Sequence, residues 1–376
     1  MSVREPGGSA AQSGRGAASP SRSGCVVVGM SGGVDSSVAA ALLVEGGYEV
    51  IGIHMILAGC EGRGRSMENA ADARQVADHL NIRFSVVDYA DRFREEVIEP
   101  FADAYLSGRT PIPCVVCNQR FKFHYLLEHG RALGASAVAT GHYARIDTDA
   151  GTGDPRLRRA RDSHKDQSYF LFRLGPEQLR SALFPLGSLA KSEVREKARA
   201  LGLATAEKLE SQEICFAPDA DYVRVVEEIR ADGLPGEGEI VDREGTVLGR
   251  HTGVHRFTVG QRRGLGVHGA DKLYVSEVDA ERNRIVVGRL DELFCTGARI
   301  EGASWTSGRP PPSPARARVQ VRYRHAGAPA RLEIHASGEV RACFDDPVRA
   351  VAPGQAAVFY DGDVVLGGGW IAGPIA

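Results

Sequence analysis

Three short stretches of this 376-residue chain hold residues able to do chemistry. The first, at 29–37, reads G-M-S-G-G-V-D-S-S. Gly32 and Gly33 let the backbone come close to a ligand, and free N–H groups with the hydroxyls of Ser31, Ser36 and Ser37 would face it at a helix N-terminus. That environment suits an anion such as a phosphate. The loop lacks both the Gly-Lys-Ser/Thr ending of a Walker A loop and the spaced glycines of a dinucleotide fingerprint. Taken alone, it also fits a Gly-Ser turn that only caps a helix.

The second stretch, at 107–123, reads S-G-R-T-P-I-P-C-V-V-C-N-Q-R-F-K-F. Pro111 and Pro113 are expected to keep the approach out of helix, which places Cys114 and Cys117 on a loop ending at a helix that begins near Asn118. A thiol at a helix N-terminus is expected to have a lowered pKa and more thiolate. Zinc would need a second pair of ligands at similar spacing, and the sequence offers none. The third stretch, K-D-Q-S-Y-F-L-F at 165–172, follows Arg156, Arg158, Arg159 and Arg161. Basic residues interleaved with aromatics suit an RNA backbone and its bases, and a surface strand with solvated arginines is the competing reading. A further cysteine, Cys215, stands in S-Q-E-I-C-F at 211–216.

The elements that must position these residues alternate. The β-branched run 25–28 reads as a buried parallel strand, 38–45 as a helix ended by Gly46 and Gly47, 49–55 as a second strand, 66–80 as a helix and 82–88 as a third strand. Residues 91–106 and 190–203 read as further helices. Strands alternating with helices give a parallel sheet, whose ligands bind beyond the carboxyl ends of the strands. That rule places Met55 and the loop Thr140-Gly141-His142 beside the phosphate cradle, although spacing alone would make Met55 strand core. Beyond Ile229 helix signals fade, and from Gly236 short strands punctuated by glycine take over. The loop G-Q-R-R-G-L-G at 260–266 lies among them. At 318–323 the pattern alternates, with Arg318, Gln320 and Arg322 on one face and Val319 and Val321 on the other. From Gly302 to Leu332 there are six arginines and no acid, a local positive patch of the kind that meets phosphates.

Length suggests two or three domains. We expect a disordered tail at 1–23, with a transit peptide as the weaker alternative, then domains at 24–220, 221–291 and 292–376. With 46 basic against 48 acidic residues the net charge is −2, so any RNA site must be a local patch. Only six of the basic residues are lysines, a bias expected to reflect base composition. No apolar run approaches the roughly 20 residues that span a bilayer, so the expected location is cytoplasmic, with no membrane partner. Seven cysteines in a chain of this size do not make a secreted disulfide framework. Cys25 is expected to be buried in its strand, and Cys60, Cys295 and Cys343 to be inert.

The hexapeptide S-G-G-V-D-S at 31–36 is similar to the loop of the ATP pyrophosphatases. From 24 to 369 the chain resembles one family of that superfamily, the tRNA-specific 2-thiouridylases. The resemblance implies an α/β fold: a parallel-sheet PP-loop domain (adenine nucleotide alpha hydrolase-like), then a small mostly-β central domain and a C-terminal β-barrel. It implies ATP with Mg2+. Gly29, Met30, Ser31, Gly32, Gly33, Val34, Asp35 and Ser36 would hold the pyrophosphate, Asp35 would help to place the ion, and Met55 and Gly141 would contact the nucleotide. It implies tRNA as substrate, contacted by Ile112, Pro113, His142, Lys165, Asp166, Gln167, Arg322, Tyr323 and Gln355, with the loop 260–266 resembling a gripping segment. Cys215 matches the family's persulfide-carrying cysteine and Cys117 its catalytic partner. The implied reaction is 2-thiolation of the wobble uridine. ATP adenylates the base carbonyl oxygen, sulfur comes from a Cys215 persulfide loaded by a donor protein, and a Cys117–Cys215 disulfide, AMP and pyrophosphate are left.

The chain departs from that pattern at Cys114, where the family has an aspartate that handles protons. Cys114 could substitute for it, or Cys114, Cys117 and Cys215 could hold a [4Fe–4S] cluster; the persulfide relay is favoured because it needs only Cys117 and Cys215. Two other classes compete. An amide-forming ATP pyrophosphatase would share the loop but needs neither the thiols nor the arginines, and an RNA-binding or zinc module would not need the loop.

Overall fold

The computed structural model describes residues 24–57, 62–209, 214–217, 221–267 and 272–376. The tail at 1–23 and Cys60 lie outside them. The first module is built on strands β1 (Cys25–Gly29), β2 (Glu49–Ile56), β3 (Arg83–Asp88) and β4 (Ala137–Ala139). An antiparallel hairpin, β5 (Arg145–Thr148) and β6 (Pro155–Arg158), then precedes β7 (Ala182–Leu183). The parallel sheet has the order β3-β2-β1-β4-β7. Period-2 alternation splits its side chains between two cores: Val27, Ile51, Ile53 and Val138 face one, and Val26, Val28, Val50 and Ala139 the other. The helices α1 (Val34–Glu45) and α2 (Gly62–His79) send Val38, Ala39, Ala40, Ala73, Val76 and Ala77 into the second core.

Three helices begin earlier than the sequence suggests, α2 among them, at Gly62 rather than 66. Helix α1 starts at Val34 rather than 38, because Gly33 lies in extended backbone (φ −103, ψ 165) and serves as its N-cap. The expected loop around Cys114 and Cys117 is helix: α-helical at Pro113–Val116, π-helical at Cys117–Tyr125, and α-helical again at Leu126–Ala132. Pro113 occupies the first turn, where its missing N–H costs no hydrogen bond and its fixed φ suits the helix.

The central module is a four-stranded sheet of β8 (Gly238–Val241), β9 (Val247–His251), β10 (Tyr274–Asp279) and β11 (Arg284–Gly288), in the order β10-β11-β8-β9. The last module comprises β12 (Phe294–Trp305), β13 (Ala315–Gln320), β14 (Ala328–Ile334), β15 (Val340–Arg349), β16 (Ala356–Asp361) and β17 (Val364–Ile375). Their order, β12-β15-β14-β13-β16-β17, closes through β12–β17 pairing into an antiparallel barrel, which leaves those strands no free edge. The hairpin β5–β6 of the first module extends the same sheet from β17 at the pair Val364 and Arg158. One core also crosses between modules, since Ala356, Val358, Tyr360 and Val365 pack with Val27, Ile53 and Val138.

Candidate active site

The loop after β1 is braced from within. The Met30 N–H donates to the Ile53 carbonyl at 2.8 Å, and the Ser31 N–H to Ser36 Oγ at 3.1 Å. Ser36 and Ser37 donate in turn to the Gly33 carbonyl at 3.1 and 2.9 Å, and Thr205 Oγ1 donates to Ser37 Oγ at 3.0 Å. Of the three hydroxyls expected to face an anion, only Ser31 is exposed, while Ser36 and Ser37 are buried braces. Gly32 has φ +74, and a Cβ there would lie 2.3 Å from the Asn69 carbonyl oxygen, so both conformation and space require glycine. Gly29 and Gly33 flank the turn, and Met30 and Val34 point into the second core.

Asp35 opens α1, where a carboxylate favours the positive helix end. Lys191 Nζ donates to both its oxygens, at 2.7 and 2.8 Å, and the Tyr143 hydroxyl donates to Oδ1 at 2.8 Å. Lys208 reaches over from the other side to Asn69 Oδ1 at 2.7 Å and to Asp72. Sequence reading missed Lys191, Tyr143, Thr205 and Lys208, which lie more than 100 residues from the loop they serve. A usable signal existed for two of them: they are among only six lysines in the chain.

The rule of strand carboxyl ends brings Gly141 onto the cradle, where a Cβ would lie 2.7 Å from Asp35 C and Ser36 N. Met55 packs both on the sheet core and on the cluster that buries Cys117. His142 is buried, its Nδ1 lies 2.7 Å from Thr140 Oγ1, and its ring is 6.0 Å from that of Phe123. Burial, with Lys122 nearby, pushes its pKa well below the usual histidine value, so it is neutral at physiological pH.

All three thiols are shifted upward, against the expectation from the helix N-terminus. Burial raises Cys114 and takes Cys117 to about 11. Cys215 reaches solvent in the turn at 214–217, yet the protein around it, then the fields of Cys117 and Cys114, push it up to about 12. Desolvation outweighs the helix end because it acts on the whole thiolate charge, whereas the end supplies a partial charge. In this state the thiols are protonated at neutral pH. Lys122 acts on all three in the opposite direction, lowering them. It stands five residues after Cys117 in the π-helical segment, whose i to i+5 hydrogen bonding brings the two onto one side. Phe216 anchors the turn by packing its ring 5.1 Å from Phe101 and 5.9 Å from Phe93. Among the described residues no group of three His, Cys, Asp or Glu stands in metal-holding geometry.

The expected RNA face is more neutral than its sequence. Arg156 and Arg158 pair with Asp147, Arg159 with Asp166 and Arg161 with Glu193. In the acid-free stretch 302–332, Arg316 meets Asp345 and Arg331 meets Glu333, acids supplied by β15 and by the next residues of β14. The face expected to hold Arg318, Gln320 and Arg322 is broken: β13 ends at Gln320, which is buried because it hydrogen-bonds inward. Arg322 is partly buried and donates to the Arg349 carbonyl at 3.0 Å, while Tyr323 is exposed and packs 4.5 Å from Phe170. Asp166 is buried rather than presented, and Gln167 accepts from the Tyr143 N–H at 3.0 Å. Lys165 is partly buried. Ile112 and Pro113 lead into the cysteine helix. The strap before them is latched to the barrel by Thr110 N–H to the Pro353 carbonyl at 2.8 Å and by Gln355 Nε2 to the Thr110 carbonyl at 3.0 Å.

This assembly of a phosphate-type cradle, adjoining thiols and two β modules has close relatives. Residues 24–219 match the family described as tRNA methyl transferase HUP domain, 228–289 its PRC-barrel domain, and 296–371 an aminomethyltransferase beta-barrel domain. The tRNA-specific 2-thiouridylase MnmA of Geobacter metallireducens is 50% identical over 356 residues, covering 92% of this chain and 96% of the relative. That of Koribacter versatilis is 47% identical over 367 residues, covering 93% and 99%. The chain belongs to the tRNA-specific 2-thiouridylase family. For a 2-thiouridylase the HUP match is the informative one, because it spans the cradle, Gly141 and all three thiols. No helix among the described residues is long and apolar enough to cross a membrane.

Proposed function

We propose that this protein is a cytoplasmic, ATP-dependent tRNA sulfurtransferase that replaces the 2-oxygen of the wobble uridine by sulfur, through adenylation and a cysteine persulfide. The observation that carries this reading is the Gly141-His142 pair. Gly141 abuts Asp35 and Ser36 of the cradle, while His142 lies beside Phe123 and in the field of Lys122, the cation shared by the three thiols. Nucleotide chemistry and sulfur chemistry therefore meet across two residues. An amide-forming pyrophosphatase has no use for the thiols.

A pyrimidine carbonyl oxygen is a poor leaving group, so it must be activated first. The oxygen attacks the α-phosphate of ATP, the bond to pyrophosphate breaks, and pyrophosphate remains in the cradle of residues 29–36, with Met55 and Gly141 against the nucleotide. A magnesium ion suits a hard carboxylate beside phosphates; Asp35 would hold it once Lys191 is drawn toward the nucleotide, and the ion would neutralise phosphate charge. The terminal sulfur of a Cys215 persulfide then attacks C2 and AMP departs. Cys117 attacks the Cys215 sulfur, which releases the thiocarbonyl and leaves a Cys117–Cys215 disulfide for an external dithiol to reduce. A persulfide relay protein supplies the sulfur. Cys114, beside Cys117, exchanges the protons that the family's aspartate would handle. The persulfide relay is preferred to a [4Fe–4S] cluster on Cys114, Cys117 and Cys215 because it needs only Cys117 and Cys215.

The base must leave its loop to reach the thiols, of which Cys117 is buried, and this gives the units 221–291 and 292–376 their role in gripping tRNA beside the catalytic unit 24–220. Ile112, Pro113, His142, Lys165, Gln167, Arg322, Tyr323 and Gln355 would line that path. The test is AMP release with and without tRNA, followed by mass spectrometry of the nucleosides. The expected result is tRNA-dependent AMP release and a 2-thiouridine product. AMP release on a small acid without tRNA would overturn the proposal in favour of a ligase, and stoichiometric iron and sulfide in protein purified without oxygen, with activity lost in Cys114→Asp, would overturn the persulfide step.

A further inference from the structure

Asp166 is the single acid of the third chemical stretch, and its carboxylate is fully hydrogen-bonded within the protein. It is 8% exposed, and its two oxygens accept from Arg159 Nη1 at 2.8 Å, Ser168 Oγ at 2.9 Å, the Ala160 N–H at 3.0 Å and the Ser168 N–H at 3.2 Å. A carboxylate so surrounded has no lone pair directed outward for RNA. Its partner Arg159 lies 3.6 Å over the ring of Tyr360 in the barrel and donates through Nη2 to Gln320 Oε1 at 3.0 Å. Gln320 ends β13 and uses its amide N–H groups to hold the next loop, donating to the Tyr323 carbonyl at 2.6 Å and the Arg322 carbonyl at 3.3 Å. Ser168 Oγ closes the circuit at 3.3 Å from the Tyr360 hydroxyl.

We infer that Asp166, Arg159 and Gln320 form a positioning relay that fixes the Arg322–Tyr323 loop of the barrel in a set register against the catalytic module. Each link uses a property its residue alone supplies. Arg159 has the two-pronged donor needed to join a carboxylate and an amide oxygen, and Gln320 both accepts from Arg159 and donates to the loop. Asp166 is a positioning residue, acting through Arg159 and Gln320. The consequence for tRNA rests on the function proposed above, in which this loop grips the substrate. Because the relay is bonded to the loop's backbone carbonyls, its loss releases the loop while Arg322 and Tyr323 keep their side chains.

Gln320→Glu is the decisive variant. It conserves volume and Arg159's acceptor but loses both donors and sets a carboxylate against two carbonyls. The expected results are faster tryptic cleavage after Arg322 and Arg324 in tRNA-free protein, a roughly tenfold higher KM for tRNA, and unchanged kcat and ATP affinity. Asp166→Asn should give the same pattern; should it fail to fold, Gln320→Glu decides alone. Unchanged cleavage and KM in Gln320→Glu would overturn the relay, and a KM rise confined to Asp166→Asn would make Asp166 a direct RNA contact instead. A parent protein that neither binds nor thiolates tRNA would sink the proposed function, while the cleavage pattern would still decide whether Gln320 holds the loop.

Discussion

The loop at 29–37, against which Gly141 packs, and the three thiols, which share the field of Lys122 with His142, are prepared in opposite ways. The loop at 29–37 is braced by its own hydrogen bonds and conformation, since its buried serines hold the turn and Gly32 takes a φ that suits glycine, while Asp35 is held by Lys191 and Tyr143. The thiols are not held ready in this way. Burial keeps Cys114, Cys117 and Cys215 protonated, with Lys122 as the opposing influence. The difference teaches that binding can be preorganised cheaply from backbone, whereas a nucleophile is safer held inert until its electrophile is present.

The strongest test of this contrast separates the two halves of the reaction. Cys215→Ser and Cys117→Ser should each lower thiolation by roughly a thousandfold or more while leaving tRNA-dependent AMP release. Only Cys117→Ser should still accept labelled persulfide sulfur, and label retained by Cys215→Ser instead would reverse the two roles. On the cradle side, Gly141→Ala drives a methyl group into the Asp35 backbone. We expect a loss of about 1–3 kcal/mol of stability and at least a roughly tenfold loss of ATP affinity, read by thermal unfolding and calorimetry. Normal ATP binding would mean that Gly141 does not define the cradle wall.

The pH behaviour sharpens the other side. With Cys117 at about 11 and Cys215 at about 12, tRNA-free protein should react with iodoacetamide more slowly than a free thiol at pH 7, and the rate should climb with pH until the thiolates form. Lys122→Met removes the opposing cation and should slow the reaction at fixed pH by about threefold. Fast alkylation near pH 7 would show that the helix end has overcome burial. The smallest effect is expected at the barrel, where Arg322→Ala should weaken tRNA binding severalfold and reduce its salt slope by about 1, with ATP binding unchanged. An identical slope would place Arg322 in the barrel's own hydrogen bonding, to the Arg349 carbonyl, and nowhere else.

The strand-turn-helix shape of the loop at 29–37 was legible because its requirements are local, glycine where φ is positive and a β-branched strand before it, whereas the inward turn of Ser36 and Ser37 was not. The parallel sheet was legible for the same reason, since periodicity reports burial directly, whereas the closed barrel was expected only from the family resemblance. Charge was not legible. The run Arg156, Arg158, Arg159 and Arg161 suited an RNA surface or a solvated strand equally, and the sequence does not reveal that Asp147, Asp166 and Glu193 fold against it. Pro113 misled in a different way, because proline forbids the middle of a helix and favours its first turn, and only the tertiary structure decides which applies.

What the sequence determined by itself, then, is the loop, the order of strands and helices, and the identity of three thiols and their family. The tertiary structure decided what state those groups are in. Lys191 reaches Asp35 across 156 residues of chain, Arg159 reaches Gln320 across 161, and burial, helped by the neighbouring thiols, reverses the expected shift of the thiols. A pKa, a salt bridge or a buried amide depends on the neighbours that long-range packing supplies and on the water it removes, and neither is written in local residue order.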